Sequence, residues 1–104
     1  MLIYNTTFHV DGERYMSQFL TYMRDVYCPA IRANVELKNP RLVRLLADVG
    51  DNLIGYAMMF EVEDLQVLKR WKTGAGRELH EDFVKTFGEK ILTFSTSMKI
   101  IDKF

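Results

Sequence analysis

The sequence predicts an α+β sandwich. Its elements run β-α-β-β-α-β, giving a four-stranded antiparallel sheet with both helices on one face. Three observations predict this. The apolar residues alternate at both ends of the chain and recur with a helical period between them. Residues 41–62 read as two strands joined by the turn Gly50-Asp51-Asn52. Each helix then connects two strands as a crossover, and such crossovers are right-handed in nearly all known cases. The usual outcome of that order is the ferredoxin-like sandwich.

The first strand covers residues 2–10. Leu2, Tyr4, Phe8 and Val10 share one face, interrupted by Thr6, and Ile3, Asn5, Thr7 and His9 share the other. Asp11-Gly12 ends it, with Asp11 placed to cap a helix by accepting free backbone N–H groups. From Glu13 the period becomes helical: Met16, Phe19, Leu20, Met23, Val26, Tyr27 and Ile31 recur at helical spacing. Pro29 lies inside this stripe and lacks the N–H a helix interior needs, so a kink is expected there. Residues 34–40 form a polar connector.

The second strand is predicted at residues 41–49. Val43, Leu45, Ala47 and Val49 form its apolar face, and Leu42, Arg44, Leu46 and Asp48 a mixed one. The third, residues 53–60, is apolar on both faces, which implies that both faces are covered. Glu63 and Asp64 open the second helix, where negative charge suits the positive end of the helix dipole. Leu65, Leu68 and Trp71 give it a short stripe. Gly74-Ala75-Gly76 breaks it, since two such glycines cost roughly 2 kcal/mol in a helix interior. A further segment carries Leu79, Phe83, Val84 and Phe87, with Gly88 as its C-terminal cap residue. The last strand is residues 91–101. Leu92, Phe94, Thr96, Met98 and Ile100 lie on one face, and Thr93, Ser95, Ser97 and Lys99 on the other.

In this architecture one sheet face is left open. It is expected to carry Asn5, Thr7, His9, Leu42, Arg44, Leu46, Thr93, Ser95 and Ser97, with one apolar register of the third strand. An exposed patch of that kind marks an interaction surface or a pocket.

The whole 104-residue chain is read as a single domain, long enough to bury roughly 65% of its unfolded surface. Fourteen basic and fourteen acidic residues cancel, which argues against a protein that binds the phosphate backbone of DNA. The single cysteine, Cys28, excludes an internal disulfide and suits a reducing, cytoplasmic compartment. The first residues lack the pattern of a signal peptide. No apolar run approaches the roughly 18 residues of a membrane span.

Three stretches carry a resemblance: Ile3-Tyr4-Asn5-Thr6-Thr7-Phe8-His9-Val10 at the start, Pro29 late in the first helix, and Phe94-Ser95-Thr96-Ser97-Met98-Lys99-Ile100-Ile101 at the end. With them the chain resembles the dimeric α+β barrel superfamily. More narrowly it is similar to a bacterial family of about this length, classed as a domain of unknown function. The resemblance implies two ferredoxin-like subunits packed through their open sheet faces. The superfamily includes cofactor-free monooxygenases, haem-degrading enzymes and muconolactone-isomerase-like proteins. Many relatives carry a His two residues before the helix-one proline. This chain has Tyr27 there, so no catalytic role is carried over to that position.

Candidate chemistry is sparse. His9 suits a general base or ligand contact if the open face lines a cavity, and Tyr56 is a second proton-transfer candidate. Each has a plainer reading, as a rim histidine and as core. Asn5, Thr7, Arg44 and Ser95 complete a candidate ligand surface. Tyr4, Tyr56, Met58, Phe60 and Met59 could form an apolar pocket wall or ordinary core. Arg44 is a candidate anion clamp, or the ion-pair partner of Asp48. The run 74–77 with Lys72 offers free N–H groups for a phosphate, but it lacks the dinucleotide and Walker patterns and reads as a helix break. His80 sits among Glu78, Glu81 and Asp82 and reads as solvated surface. Cys28 reads as a buried, inert thiol. His9, His80 and Cys28 show no ligand spacing, so no metal site is expected, and no cofactor is implied.

Three functional readings follow. The preferred one is a homodimer joined through open sheet faces, able to hold a small apolar or aromatic ligand. The second is a monooxygenase- or isomerase-like enzyme using His9 or Tyr56 in an inter-sheet cavity. The third is an RNA-binding module. It rests on Gly55-Tyr56-Ala57, and is disfavoured by Met58 at the second stacking position, Ile54 at the basic one, and zero net charge.

Overall fold

The computed structural model describes residues 1–48 and 50–103. Its centre is a pair of strands, β1 (Leu2–Asp11) and β3 (Leu53–Val62), antiparallel from Leu2 opposite Val62 to Asp11 opposite Leu53. β2 (Lys38–Arg44) flanks β3 and β4 (Leu92–Lys99) flanks β1, so the sheet order is β2-β3-β1-β4. The helices α1 (Met16–Tyr22), α2 (Cys28–Arg32), α3 (Leu65–Thr73) and α4 (Ala75–Phe87) cover one face, as the ferredoxin-like prediction requires. None is long and apolar enough to cross a membrane.

The first helix starts later than the sequence suggests. Asp11 Oδ1 accepts the N–H groups of Glu13 (3.0 Å) and Arg14 (3.1 Å), and so caps a turn, while helix proper begins at Met16. The reason is the Gly12 N–H, which donates to Asn52 O at 2.8 Å and ties the turn to the β2–β3 connection. Pro29 is met by a π-helical turn at Met23–Tyr27, after which α2 resumes with the proline in its first turn, where the missing donor costs nothing. Asp64 caps α3, accepting the Val67 N–H at 3.0 Å. Gly74 (φ −112°, ψ −115°) separates α3 from α4, as its helix-breaking chemistry predicts. Gly88 ends α4 at φ +60°.

One core fills the space between sheet and helices. Phe8 and Val10 from β1 and Tyr56, Met58, Phe60 and Val62 from β3 meet Phe19, Met23, Trp71, Leu79, Phe83 and Phe87 from the helical layer. Phe8 lies 5.2 Å, centroid to centroid, from both Phe19 and Phe83. Directly opposed residues of an antiparallel pair point to the same side. The even register of β3 therefore faces the helices with Phe8, while Gly55, Ala57, Met59 and Glu61 face the open side.

The edge strands depart from the sequence reading. β2 runs Lys38–Arg44 and not 41–49. A bulge between Lys38 and Arg41, with Asn39 at φ +51°, shifts its register, and Pro40 is tolerated because the strand is an edge. Leu45 still donates to Gly55 O (2.8 Å), but Leu46, Ala47 and Asp48 leave the sheet to reach the turn at Gly50 (φ +139°) and Asn52 (φ +60°). Val49 lies outside the described residues. Leu42 and Arg44 oppose Met58 and Tyr56, so they face the helical side, and Leu42 packs on the core. Val43, opposite Ala57, faces the open side.

β4 is turned the other way from the expectation as well. Thr93, Ser95 and Ser97 oppose Phe8, Thr6 and Tyr4 and therefore lie on the helical side. The open side receives Leu92, Phe94, Thr96 and Met98. The register with β1 decides this, not the apolarity of β4's own faces.

Candidate functional site

A cleft of about 250 Å³ opens between the helical side of the β1–β4 edge and the break between α3 and α4. Three kinds of side chain line it. Tyr4, Phe8, Tyr27, Trp71 and Phe83 form aromatic walls; Thr6, Thr93 and Ser95 present hydroxyls from the sheet; Lys72, Arg77 and His80 stand on the helical rim. Local sequence explains the placement. Gly76, His80 and Phe83 recur at i, i+4 and i+7, so one face of α4 looks into the cleft. Gly76 lets the α4 start lie against Trp71, since a Cβ there would sit 2.6 Å from both the Trp71 indole and its carbonyl oxygen. The Thr at position 6 interrupts the apolar stripe of β1 at the cleft floor.

The floor is a hydroxyl cluster. Thr6 Oγ1 and Ser95 Oγ are 3.2 Å apart, and the Tyr27 hydroxyl lies beside Thr6. Burial is the main cause that pushes the Tyr27 phenol up to about 12; Tyr4 adds to the effect and Thr6 opposes it. Tyr27 is thus a neutral hydrogen-bonding phenol across the physiological range. Lys72 Nζ sits 5.6 Å from the centroid of the Tyr4 ring. Arg77 Nε donates to Glu81 Oε1 at 3.0 Å on the exposed rim.

Of the candidate ligand surface Asn5, Thr7, His9, Arg44, Tyr56 and Ser95, only Ser95 reaches this cleft; Tyr4, Lys72, Gly76, Arg77 and His80, weighed from sequence on other grounds, line it too. Asn5, Thr7 and His9 lie on the open face, where the Asn5 amide donates to Thr7 Oγ1 (3.0 Å) and the His9 ring packs on Phe94 at 5.3 Å. Asn5 Oδ1 is buried there without a hydrogen-bond partner. Tyr56 is core, 5% exposed and 5.1 Å from Phe19, so the aromatic that suggested base stacking faces the helices. Arg44 is exposed at the edge and does not meet Asp48: the strand ends at Arg44, and Asp48 instead accepts the Gly50 N–H at 3.3 Å. Tyr4, Phe60 and Met58 share the helical side, while Met59 faces away. Cys28 is buried against Met58 (Sγ–Sδ 3.8 Å), and burial raises its thiol pKa. Among the described residues no three His, Cys, Asp or Glu side chains converge as metal ligands would.

Sequence reasoning gave Tyr27 no site role, set Lys72 and the run 74–77 aside as a helix break, and read His80 as solvated surface, whereas Tyr27, Lys72, Gly76, Arg77 and His80 all reach the cleft. The usable signals were the Tyr in place of a relative's His at position 27, and the polar break in the β1 stripe at Thr6.

The open face is the second feature. Leu92, Phe94 and Met98 on β4 are 56%, 48% and 40% exposed. Beside them lie Ile3 on β1, Ala57 and Met59 on β3, and Val43 on β2, interspersed with the polar Asn5, Thr7, His9, Glu61 and Thr96, so the face is mixed, with its exposed apolar side chains concentrated on β4.

The chain is similar to several solved structures. One is a protein of Deinococcus radiodurans, provisionally named as an antibiotic biosynthesis monooxygenase (TM-score 0.72, 13% identity, covering 100% of this chain and 96% of that one). Another is an EthD family protein of Bacillus halodurans (TM-score 0.65, 13% identity, 92% and 97% covered). A third is a dimeric ferredoxin-like protein from an uncultured marine organism (TM-score 0.60, 16% identity, 100% and 98% covered). At these identities the likeness establishes the fold. No curated protein matches the chain. A family model described as a domain of unknown function, DUF4286, matches residues 1–101.

Proposed function

The chain therefore belongs to the DUF4286 family, and on that premise we propose that it is a small-molecule-binding homodimer. Two subunits join across their open sheet faces, and each holds a small apolar or aromatic ligand in its helix-side cleft.

The observation that carries this reading is the orientation of β4. The strand turns Thr93 and Ser95 toward the cleft and Leu92, Phe94 and Met98 away from the helices. For a lone subunit this is the costly choice, because it leaves apolar side chains in water at about 25 cal/mol per Å². In a dimer the same choice supplies an apolar interface and a hydroxyl-lined pocket at once. The name of the marine relative, a dimeric ferredoxin-like protein, supports the same assembly.

Sedimentation equilibrium over a wide concentration range tests the assembly. A dimer persisting into the low micromolar range is the expected result. The monomer mass at every concentration overturns it.

A further inference from the structure

We propose that the helix-side cleft takes a small aromatic carboxylate, with its ring against the aromatic walls and its carboxylate at the rim between Lys72 and Arg77. The inference rests on the cleft being the ligand site, as argued above, and adds the ligand's chemical class.

Charge selects the class. Among the described residues no acidic side chain lines the cleft, whereas Lys72, Arg77 and His80 all do. This is a local bias, since basic and acidic residues balance at fourteen each over the chain. Lys72 makes no ion pair among the described residues; its ammonium rests over the Tyr4 ring at 5.6 Å. Arg77 uses Nε on Glu81 in an exposed pair, which leaves the other guanidinium donors free. The first turn of α4, with Gly76 and Arg77, also lies at the cleft, and the positive end of a helix dipole favours an anion. A carboxylate here gains charge-assisted hydrogen bonds that a neutral ligand cannot.

Shape and lining select the rest. About 250 Å³ lies just under the roughly 300 Å³ at which pockets for drug-sized ligands begin, which suits one or two rings. Tyr4, Phe8 and Trp71 offer ring faces and edges. Thr6, Ser95 and Tyr27 can hydrogen-bond a ring substituent at the floor.

Trp71 is the only tryptophan of the chain and lines the cleft, so its emission reports occupancy. The full chain is titrated with benzoate, phenylacetate and 2-naphthoate, with the amide of each, and with inorganic phosphate. The expected result is saturable binding of at least one acid, weakened in its amide about tenfold or more, as loss of a charge-assisted hydrogen bond implies. Lys72→Met, with far-UV circular dichroism unchanged, should weaken the acid by a similar factor and leave the amide alone. An amide that binds as tightly as its acid, or an acid indifferent to Lys72→Met, overturns the carboxylate class while keeping the cleft as a site. Phosphate binding as tightly as the acids overturns the aromatic requirement. Binding of neither acids nor amides overturns the ligand-site reading and this inference with it.

Discussion

Thr6 Oγ1 and Ser95 Oγ meet at 3.2 Å across the β1–β4 pair, on the helical side of the sheet. That contact marks the register that sends the hydroxyls of β4 inward and its apolar side chains outward.

Phe94→Glu should convert the proposed dimer to monomer. Phe94 is 48% exposed in the single subunit, so the substitution leaves the subunit fold intact, but it places an unpaired carboxylate in the proposed interface, at a cost of several kcal/mol. Sedimentation velocity with circular dichroism checks both halves. A dimer that survives the change would place the interface elsewhere.

Phe83→Ala should be among the damaging single truncations of the core. Phe83 is 2% exposed and packs on Phe8, Tyr22 and Phe87 at 5.2, 5.7 and 4.9 Å. The expected loss is about 3–5 kcal/mol, read as a lower urea midpoint at unchanged m-value.

Stability should fall at alkaline pH through two tyrosines. Burial, then the 2.6 Å hydrogen bond to Asp82, raises the Tyr22 pKa well above the ordinary value, and burial pushes Tyr27 up to about 12. In both, folding favours the neutral phenol. Their contribution is complete below the unfolded value of about 10 and is lost as pH rises from there through the folded values. Urea unfolding between pH 8 and 12 should show this decline, and Tyr22→Phe should reduce it. At neutral pH that variant should cost about 1 kcal/mol, for the lost hydrogen bond to an exposed carboxylate.

Gly76→Ala should destabilise the protein, although alanine is the better helix former by about 1 kcal/mol. The new methyl would lie 2.6 Å from the Trp71 carbonyl oxygen, a backbone atom that cannot swing aside. A lower thermal midpoint together with shifted Trp71 emission is expected. Gly88→Ala is the contrasting case. Beyond its own chain neighbours, no atom of the described residues lies within 4 Å of a Cβ placed there, so the cost comes from φ +60°, and Trp71 should not respond.

Much of the fold was legible in the chain itself. Alternation in residues 2–10, the helical stripe from Met16 to Ile31, the turn at Gly50-Asp51-Asn52 and the break at Gly74 are local signals, and each marks its element. They reflect side-chain period and backbone preference, which act between near neighbours. The sequence by itself determined the element order and the likeness to dimeric sandwiches. The tertiary structure alone decided which side each edge strand shows to the helices. Shifting a strand by one residue exchanges its two faces, and the choice at β4 is set by hydrogen-bond register with β1, far away in sequence. The cleft follows the same rule: Thr6, Tyr27, Lys72, His80 and Ser95 lie scattered along the chain, with no spacing to join them, and only the packing of α3 and α4 over the β1–β4 edge brings them to one place.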